Sequence, residues 1–146
     1  MSAKFLVDSE RPNALITGAS RGIGRAIAEA LAADGYDLIL TCKHSIGDLE
    51  TYAATLADKY GISVCTERVD MSSASDVREL FEGIHDLDVL VNNAGISYIG
   101  LLQDMADEEW NDVIGTNLSS VFYTCRAAIP LMLKKQNGKM YPTLLP

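Results

Sequence analysis

Two periodicities take turns along the chain. Ala14-Leu15-Ile16-Thr17 is a short, nearly continuous apolar run, the pattern of a strand buried on both faces. Ile23, Ile27, Ala30 and Leu31 then recur at helical spacing, and Gly35 follows as a stop. Asp37-Leu38-Ile39-Leu40-Thr41 predicts a second strand. Ser45-Ile46-Gly47-Asp48 has the spacing of a capping box, and Leu49, Tyr52, Ala53, Leu56 and Tyr60 continue it as one helical face closed by Gly61. Residues 62–69 read as a third strand. Ser73-Ala74-Ser75-Asp76 repeats the capping pattern ahead of a stripe of Val77, Leu80, Phe81 and Ile84. Asp88-Val89-Leu90-Val91-Asn92 predicts a fourth strand. After a loop holding Gly95 and Gly100, a long amphipathic stretch runs from about Glu108 to Lys135, with Trp110, Ile114, Asn117, Val121, Cys125 and Ile129 as its expected inner stripe. Pro130 lacks an amide proton and is expected to bend or break that helix.

This alternation predicts an α/β chain: a parallel sheet of about four strands flanked by helices and joined by right-handed crossovers. It forms one unit over residues 13–139, after a leader at 1–12 and before an aberrant tail at 140–146. The tail Met140-Tyr141-Pro142-Thr143-Leu144-Leu145-Pro146 carries two prolines, which suit a central strand badly and resemble the product of a frame change or early stop. Without further strands, β-strand four would be an open apolar edge. Such an edge, with an uncovered long helix, predicts self-association.

Composition narrows the partners. A hydrophobic content of 48% and a charged content of 22% fit a soluble globular protein. The net charge of −8 argues against nucleic acid and anionic membranes, which attract basic faces. No apolar run is long enough to span a bilayer, and residues 1–12 lack the apolar stretch of a signal peptide. Cys42, Cys65 and Cys125 are odd in number, far apart and without ligand spacing; reduced thiols, a cytoplasmic setting and no metal are expected. His44 and His85 stand alone and read as surface residues.

The candidate chemistry lies between the first strand and first helix. Thr17-Gly18-Ala19-Ser20-Arg21-Gly22-Ile23-Gly24 spaces its glycines as G-x-x-x-G-x-G. Glycine there allows a tight turn and lets backbone amides approach a pyrophosphate, while the following helix points its N-terminus at the phosphates. No Lys-Ser or Lys-Thr pair follows, so the loop is not that of a nucleoside triphosphatase. An acid near the end of the second strand would bond a ribose 2′-hydroxyl; here the residues are Thr41-Cys42-Lys43-His44, and no carboxylate occurs before Asp48. Arg21 and Lys43 would attract a 2′-phosphate instead, so NADP(H) is expected over NAD(H).

The loop, its continuation Arg25-Ala26-Ile27-Ala28, the segment Asn92-Asn93-Ala94-Gly95 and the segment Thr116-Asn117-Leu118-Ser119-Ser120-Val121-Phe122 together resemble the short-chain dehydrogenase/reductase family, in the style of its beta-ketoacyl-acyl-carrier-protein reductase branch. The resemblance runs from about Asn13 to Lys139 and reaches only the first part of the family's domain. It implies a partial Rossmann fold. It also implies roles: Ser20, Arg21 and Ile23, beside the loop glycines Gly18, Gly22 and Gly24, at the cofactor's phosphates and ribose, Asp70 at the adenine, and Asn92, Ala94 and Gly95 bordering the adenine ribose and stabilising the sheet. Asn117 matches the family's catalytic asparagine, which holds a water in a proton relay.

The family's serine, tyrosine and lysine are not found. Tyr36, Tyr52, Tyr60, Tyr98, Tyr123 and Tyr141 are followed four positions later by Leu40, Leu56, Val64, Leu102, Ala127 and Leu145, so no Tyr-x-x-x-Lys occurs. The expectation ranked first is an oxidoreductase-derived chain, inactive alone and retaining at most weak dinucleotide binding. A reductase completed by another chain, and a non-enzymatic nucleotide-binding or interaction module, are the alternatives.

Overall fold

A computed structural model describes residues 10–142. Expectations for residues 1–9 and 143–146, most of the leader and the end of the tail, lie outside the described residues.

The elements follow in the order β1 (Asn13–Ile16), α1 (Gly22–Ala33), β2 (Asp37–Cys42), α2 (Ile46–Tyr60), β3 (Val64–Arg68), α3 (Ala74–Glu82), β4 (Val89–Asn92), a 3-10 turn (Leu102–Asp104), α4 (Asp107–Ile114), a π-helical turn (Gly115–Ser119), α5 (Ser120–Lys135) and β5 (Lys139–Pro142). The strands form one parallel sheet in the order β3-β2-β1-β4-β5. Strand residues alternate between its two faces. Ile16, Leu38, Leu40 and Val91 pack with Ala28, Leu49 and Leu56 of α1 and α2. Leu15, Ile39 and Leu90 pack on the other face with Val77 and Leu80 of α3 and with Ala128 and Met132 of α5. This is the two-sided layering of a doubly wound sheet, in which central strands read as unbroken apolar runs.

The fourth strand is not an edge. Val89, Leu90 and Val91 are buried, and β5 pairs along β4 with Lys139 opposite Val89 and Pro142 opposite Asn92. The Lys139 N–H donates to the Asp88 carbonyl at 2.8 Å. Successive peptide groups point to alternate sides, so the Pro142 nitrogen faces away from β4, where no ladder bond is lost. That is why a proline-bearing segment read as an aberrant tail joins the sheet. Among the described residues the sheet ends at β3 on one side and at β5 on the other, and all residues of β5 are exposed.

Two helical faces differ from the expected stripes. In α1 the buried line is Gly24, Ala28 and Ala32, while Ile23 is 54% exposed and Ala30 is also exposed. Small residues let α1 lie close to the sheet, with Ile27 and Leu31 at its flanks. In α5 the buried line is Ser120, Thr124, Ala128 and Met132, while Ile129 is exposed; Trp110 of α4 is exposed as well. The π turn inserts a residue after Ile114, which rotates everything beyond it by about 100° relative to a continuous α-helix. The polar members of the inner line find their partners on the preceding helical turn and on β4. Thr124 Oγ1 donates to Asn92 Oδ1 at 2.6 Å and lies 3.0 Å from the Ser120 carbonyl. Pro130 does not break α5, which continues to Lys135. It lies on the exposed side, where the carbonyl left without its amide partner meets water. Ser73 caps α3 as expected, accepting from the Asp76 N–H at 3.3 Å, whereas Ser45 precedes α2 without a side-chain cap bond.

A buried carboxylate fastens the far end of the sheet. Asp88 Oδ2 accepts the Asn13 N–H at 2.9 Å and its Oδ1 meets Lys135 Nζ at 2.6 Å, joining β1, β4 and α5. Partial burial disfavours the Lys135 ammonium, but Asp86 and Asp88 outweigh it and hold its pKa above the ordinary lysine value. Among the described residues, no helix is long and apolar enough to cross a membrane, and no group of three or more His, Cys, Asp or Glu could hold a metal.

Candidate dinucleotide site

The strand order reverses between β1 and β4: successive crossovers lead one way to β2 and β3, then back to β4 on the other side. Loops leaving the carboxyl ends of β1 and β4 therefore part to opposite faces and leave a crevice between them. A cleft of about 620 Å³ lies there, lined by the glycine loop, the end of β2, the turn after β3, the turn after β4, and Asp112 and Thr116.

The glycine loop is fastened on both sides. The Thr17 N–H donates to the Val91 carbonyl at 3.0 Å and the Ala19 N–H donates to the Thr41 carbonyl at 2.9 Å. Gly18 has φ +66°, a left-handed conformation, and a Cβ there would lie 2.9 Å from Ala94 Cα. Gly24 sits in the first turn of α1 and is buried; a Cβ there would overlap Asn93 Nδ2 and the Gly18 carbonyl oxygen. Gly24 therefore shapes the loop from beneath and does not line the cleft. Ser20, Arg21, Gly22 and Ile23 do line it, where α1 begins.

Two residues hold this loop against the turn after β4. Thr17 Oγ1 accepts the N–H groups of Asn93 at 3.0 Å and Ala94 at 2.9 Å. Asn93 Nδ2 donates to the Thr17 carbonyl at 3.0 Å and the Gly18 carbonyl at 2.9 Å. The sequence motifs assign neither residue to the cofactor. The signal was the Asn92-Asn93 doublet at a strand end, because consecutive strand residues face opposite ways. Asn93 turns to the cleft. Asn92 is buried and turned to α5, where Nδ2 donates to Cys125 Sγ at 3.5 Å and Oδ1 accepts from Thr124. Asn92 thus braces the sheet from behind, while Ala94 and Gly95 line the cleft.

Lys43 and Asp70 meet across the cleft as an ion pair, Lys43 Nζ to Asp70 Oδ2 at 2.7 Å. Asp70 Oδ1 accepts from Ser72 twice, from Oγ at 2.6 Å and from the N–H at 3.0 Å. Burial pushes the Asp70 carboxyl up, but Lys43 and Ser72 together outweigh it and hold the pKa below the ordinary carboxylate value. Arg21 supplies a second cation on the glycine-loop wall. Cys42 lies in the floor, where burial raises its thiol pKa above the ordinary value. His44, also at the cleft, is exposed.

Asn117 lies in the π turn and is not part of the cleft lining. Its amide clamps one peptide from both sides: Oδ1 accepts the Ile96 N–H at 2.8 Å and Nδ2 donates to the Ile96 carbonyl at 2.8 Å. Ile96 does line the cleft, so Asn117 positions that wall. The widened π turn is the local irregularity that presents this side chain.

The family model for short chain dehydrogenases matches residues 12–141. The chain is 44% identical over 131 residues to the 3-oxoacyl-[acyl-carrier-protein] reductase FabG of Escherichia coli strain K12, an alignment that takes in 87% of this chain and 52% of that protein. It spans about half the length of the curated relatives it matches. Among solved structures, an alcohol dehydrogenase from the archaeon Thermococcus sibiricus, complexed with 5-hydroxy-NADP, is similar with a TM-score of 0.80 and 39% identity, over 88% of this chain and 56% of that one. A short-chain dehydrogenase from Sphingobium yanoikuyae in complex with NADPH gives 0.82 and 29%, over 88% and 51%.

Proposed function

The chain belongs to the short-chain dehydrogenase family, and from that premise we propose that its cleft binds a nicotinamide dinucleotide, NADP(H) in preference to NAD(H). The observation that carries this reading is the convergence of the glycine loop, the start of α1 and the Asn93–Gly95 turn on one cleft where the strand order reverses. The lining fits the group. The absence of a Cβ at Gly18 keeps the loop open and tightly seated, and the two cations Arg21 and Lys43 match a 2′-phosphate. Ser20, Gly22 and Ile23 bind the phosphates and near ribose, Asp70 reaches the adenine, and Ala94 and Gly95 border its ribose. When bound, the cofactor supplies or accepts a hydride at its nicotinamide. Asn117 keeps the family's water-holding role, and its clamp on Ile96 supports placing it at that wall.

The 146 residues contain no Tyr-x-x-x-Lys, so this polypeptide by itself binds without hydride transfer. Titration of the purified chain with NADPH, followed by cofactor fluorescence, is expected to saturate, weakly, and addition of an acetoacetyl thioester is expected to leave NADPH absorbance unchanged. Consumption of NADPH would overturn the inactive reading; lack of saturation would overturn the cleft itself. A second reading, a carbonyl reductase of the 3-oxoacyl type completed by another chain, is favoured by the exposed strand β5 and by the exposed Leu118 of the π turn and Phe122 and Leu133 of the last helix. The same surfaces would serve homo-oligomerisation. Sedimentation at micromolar concentration should then show species larger than a monomer, and a monodisperse monomer would remove that part of the reading. The free thiols of Cys42, Cys65 and Cys125 support a reducing, cytoplasmic setting.

A further inference from the structure

We propose that Asp70 sets how strongly this cleft distinguishes a ribose bearing a 2′-phosphate from one bearing a 2′-hydroxyl, because it holds Lys43 in an ion pair that the phosphate must share. The inference rests on the cleft being a dinucleotide site.

Three facts carry it. First, Lys43 is already partnered, its Nζ 2.7 Å from Asp70 Oδ2. Second, the partner cannot easily withdraw. Ser72 Oγ and N–H both hold Asp70 Oδ1, at 2.6 and 3.0 Å, and Ser72 precedes the Ser73 cap of α3. Third, both side chains remain reachable, with exposures of 49% for Lys43 and 33% for Asp70, and both line the cleft. A phosphate oxygen bonded to Lys43 at roughly 2.8 Å stands within about 6 Å of the Asp70 carboxylate. At that distance like charges repel appreciably wherever water is partly excluded. A hydroxyl in the same place is not repelled. It can donate to the remaining lone pair of Asp70. One fixed carboxylate thus weakens the phosphorylated ligand and helps the other. Arg21, which also attracts a 2′-phosphate, and Asp112, on another wall of the cleft, are the same in the wild-type chain and in each variant, so their share of the preference cancels in the comparison.

The test uses the full 146-residue chain and two ligand pairs, NADPH with NADH and adenosine 2′,5′-bisphosphate with AMP. The quantity read is the ratio of dissociation constants within each pair. Any loss of an adenine contact cancels in that ratio. Asp70→Asn is expected to raise the preference for the 2′-phosphorylated member roughly three- to tenfold in both pairs. Ser72→Ala keeps the charge but releases the tether, and should raise it by about twofold. Circular dichroism establishes that each variant is folded; if Asp70→Asn does not fold, Ser72→Ala decides. Ratios that stay level or fall, with the wild-type chain still binding, overturn the role of Asp70 alone. Failure of the wild-type chain to bind any of the four ligands overturns the cleft reading and this inference with it.

Discussion

Gly24→Val is expected to abolish dinucleotide binding and to destabilise the fold by about 3–5 kcal/mol, the sum of an overpacked core position and a broken amide clamp. A side chain at Gly24 would meet Asn93 Nδ2, the Gly18 carbonyl oxygen and Ala19 Cα. None of these can move cheaply. The Asn93 amide bonds two carbonyls, Ala19 is tied to β2 through Thr41, and the Gly18 oxygen is itself one of the acceptors. The chain must therefore lift α1 from the sheet or open the glycine loop. A loss of that size is a large share of the ~5–15 kcal/mol that holds an average domain together. Urea denaturation with NADPH titration checks it; an unchanged midpoint with binding retained would contradict it.

Asn93→Leu is expected to separate the site from the fold. The leucine has similar bulk but no donors. It leaves the Thr17 and Gly18 carbonyls unpartnered by a side chain in a nearly closed place, at about 2–4 kcal/mol for the two bonds. Thr17 Oγ1 still accepts the backbone N–H groups of residues 93 and 94, so the loop stays attached to the turn after β4. The glycine loop then loosens where the phosphates should sit. Affinity for NADPH should fall more than tenfold while the unfolding transition stays cooperative. Combined with Gly24→Val, the second change should add much less than it does alone, because both act on one junction. Full additivity in stability would mean that Asn93 and Gly24 act independently.

The phosphate loop was legible because its requirement is local. Glycines between a buried strand and a helix start can be seen without knowing any neighbour, and Ser20, Arg21, Gly22 and Ile23 do come to one cleft with Lys43, Asp70, Ala94 and Gly95. The partition of roles inside a motif was harder. Asn92 and Asn93 are chemically identical and adjacent, and only the direction in which β4 ends tells which one reaches the cleft. Along the chain, Lys43 and Asp70 present themselves as two separate ligand contacts. They lie 27 positions apart, and their pairing depends on β2 and β3 being sheet neighbours.

The helix stripes show the same division. Those of α2 and α3 follow their apolar spacing: Leu49, Tyr52, Ala53 and Leu56, and Val77 and Leu80, are buried, while Tyr60 and Phe81 at the stripe ends are half-buried. Those of α1 and α5 do not, because close approach to a sheet favours Gly24, Ala28, Ser120 and Thr124 over larger apolar residues nearby. A π turn also changes phase without changing composition.

By itself, the amino-acid order determined the alternation of strands and helices, the α/β class, the place of the glycine loop and the absence of a Tyr-x-x-x-Lys pair, since each depends on residues close together in the chain. Tertiary structure alone decided that Lys139–Pro142 forms a fifth strand, that Asn93 and Thr17 lock the loops together, and that Asp70 claims Lys43. Those outcomes turn on which distant segments become neighbours and on the direction in which each side chain leaves its backbone, and spacing along the chain carries neither.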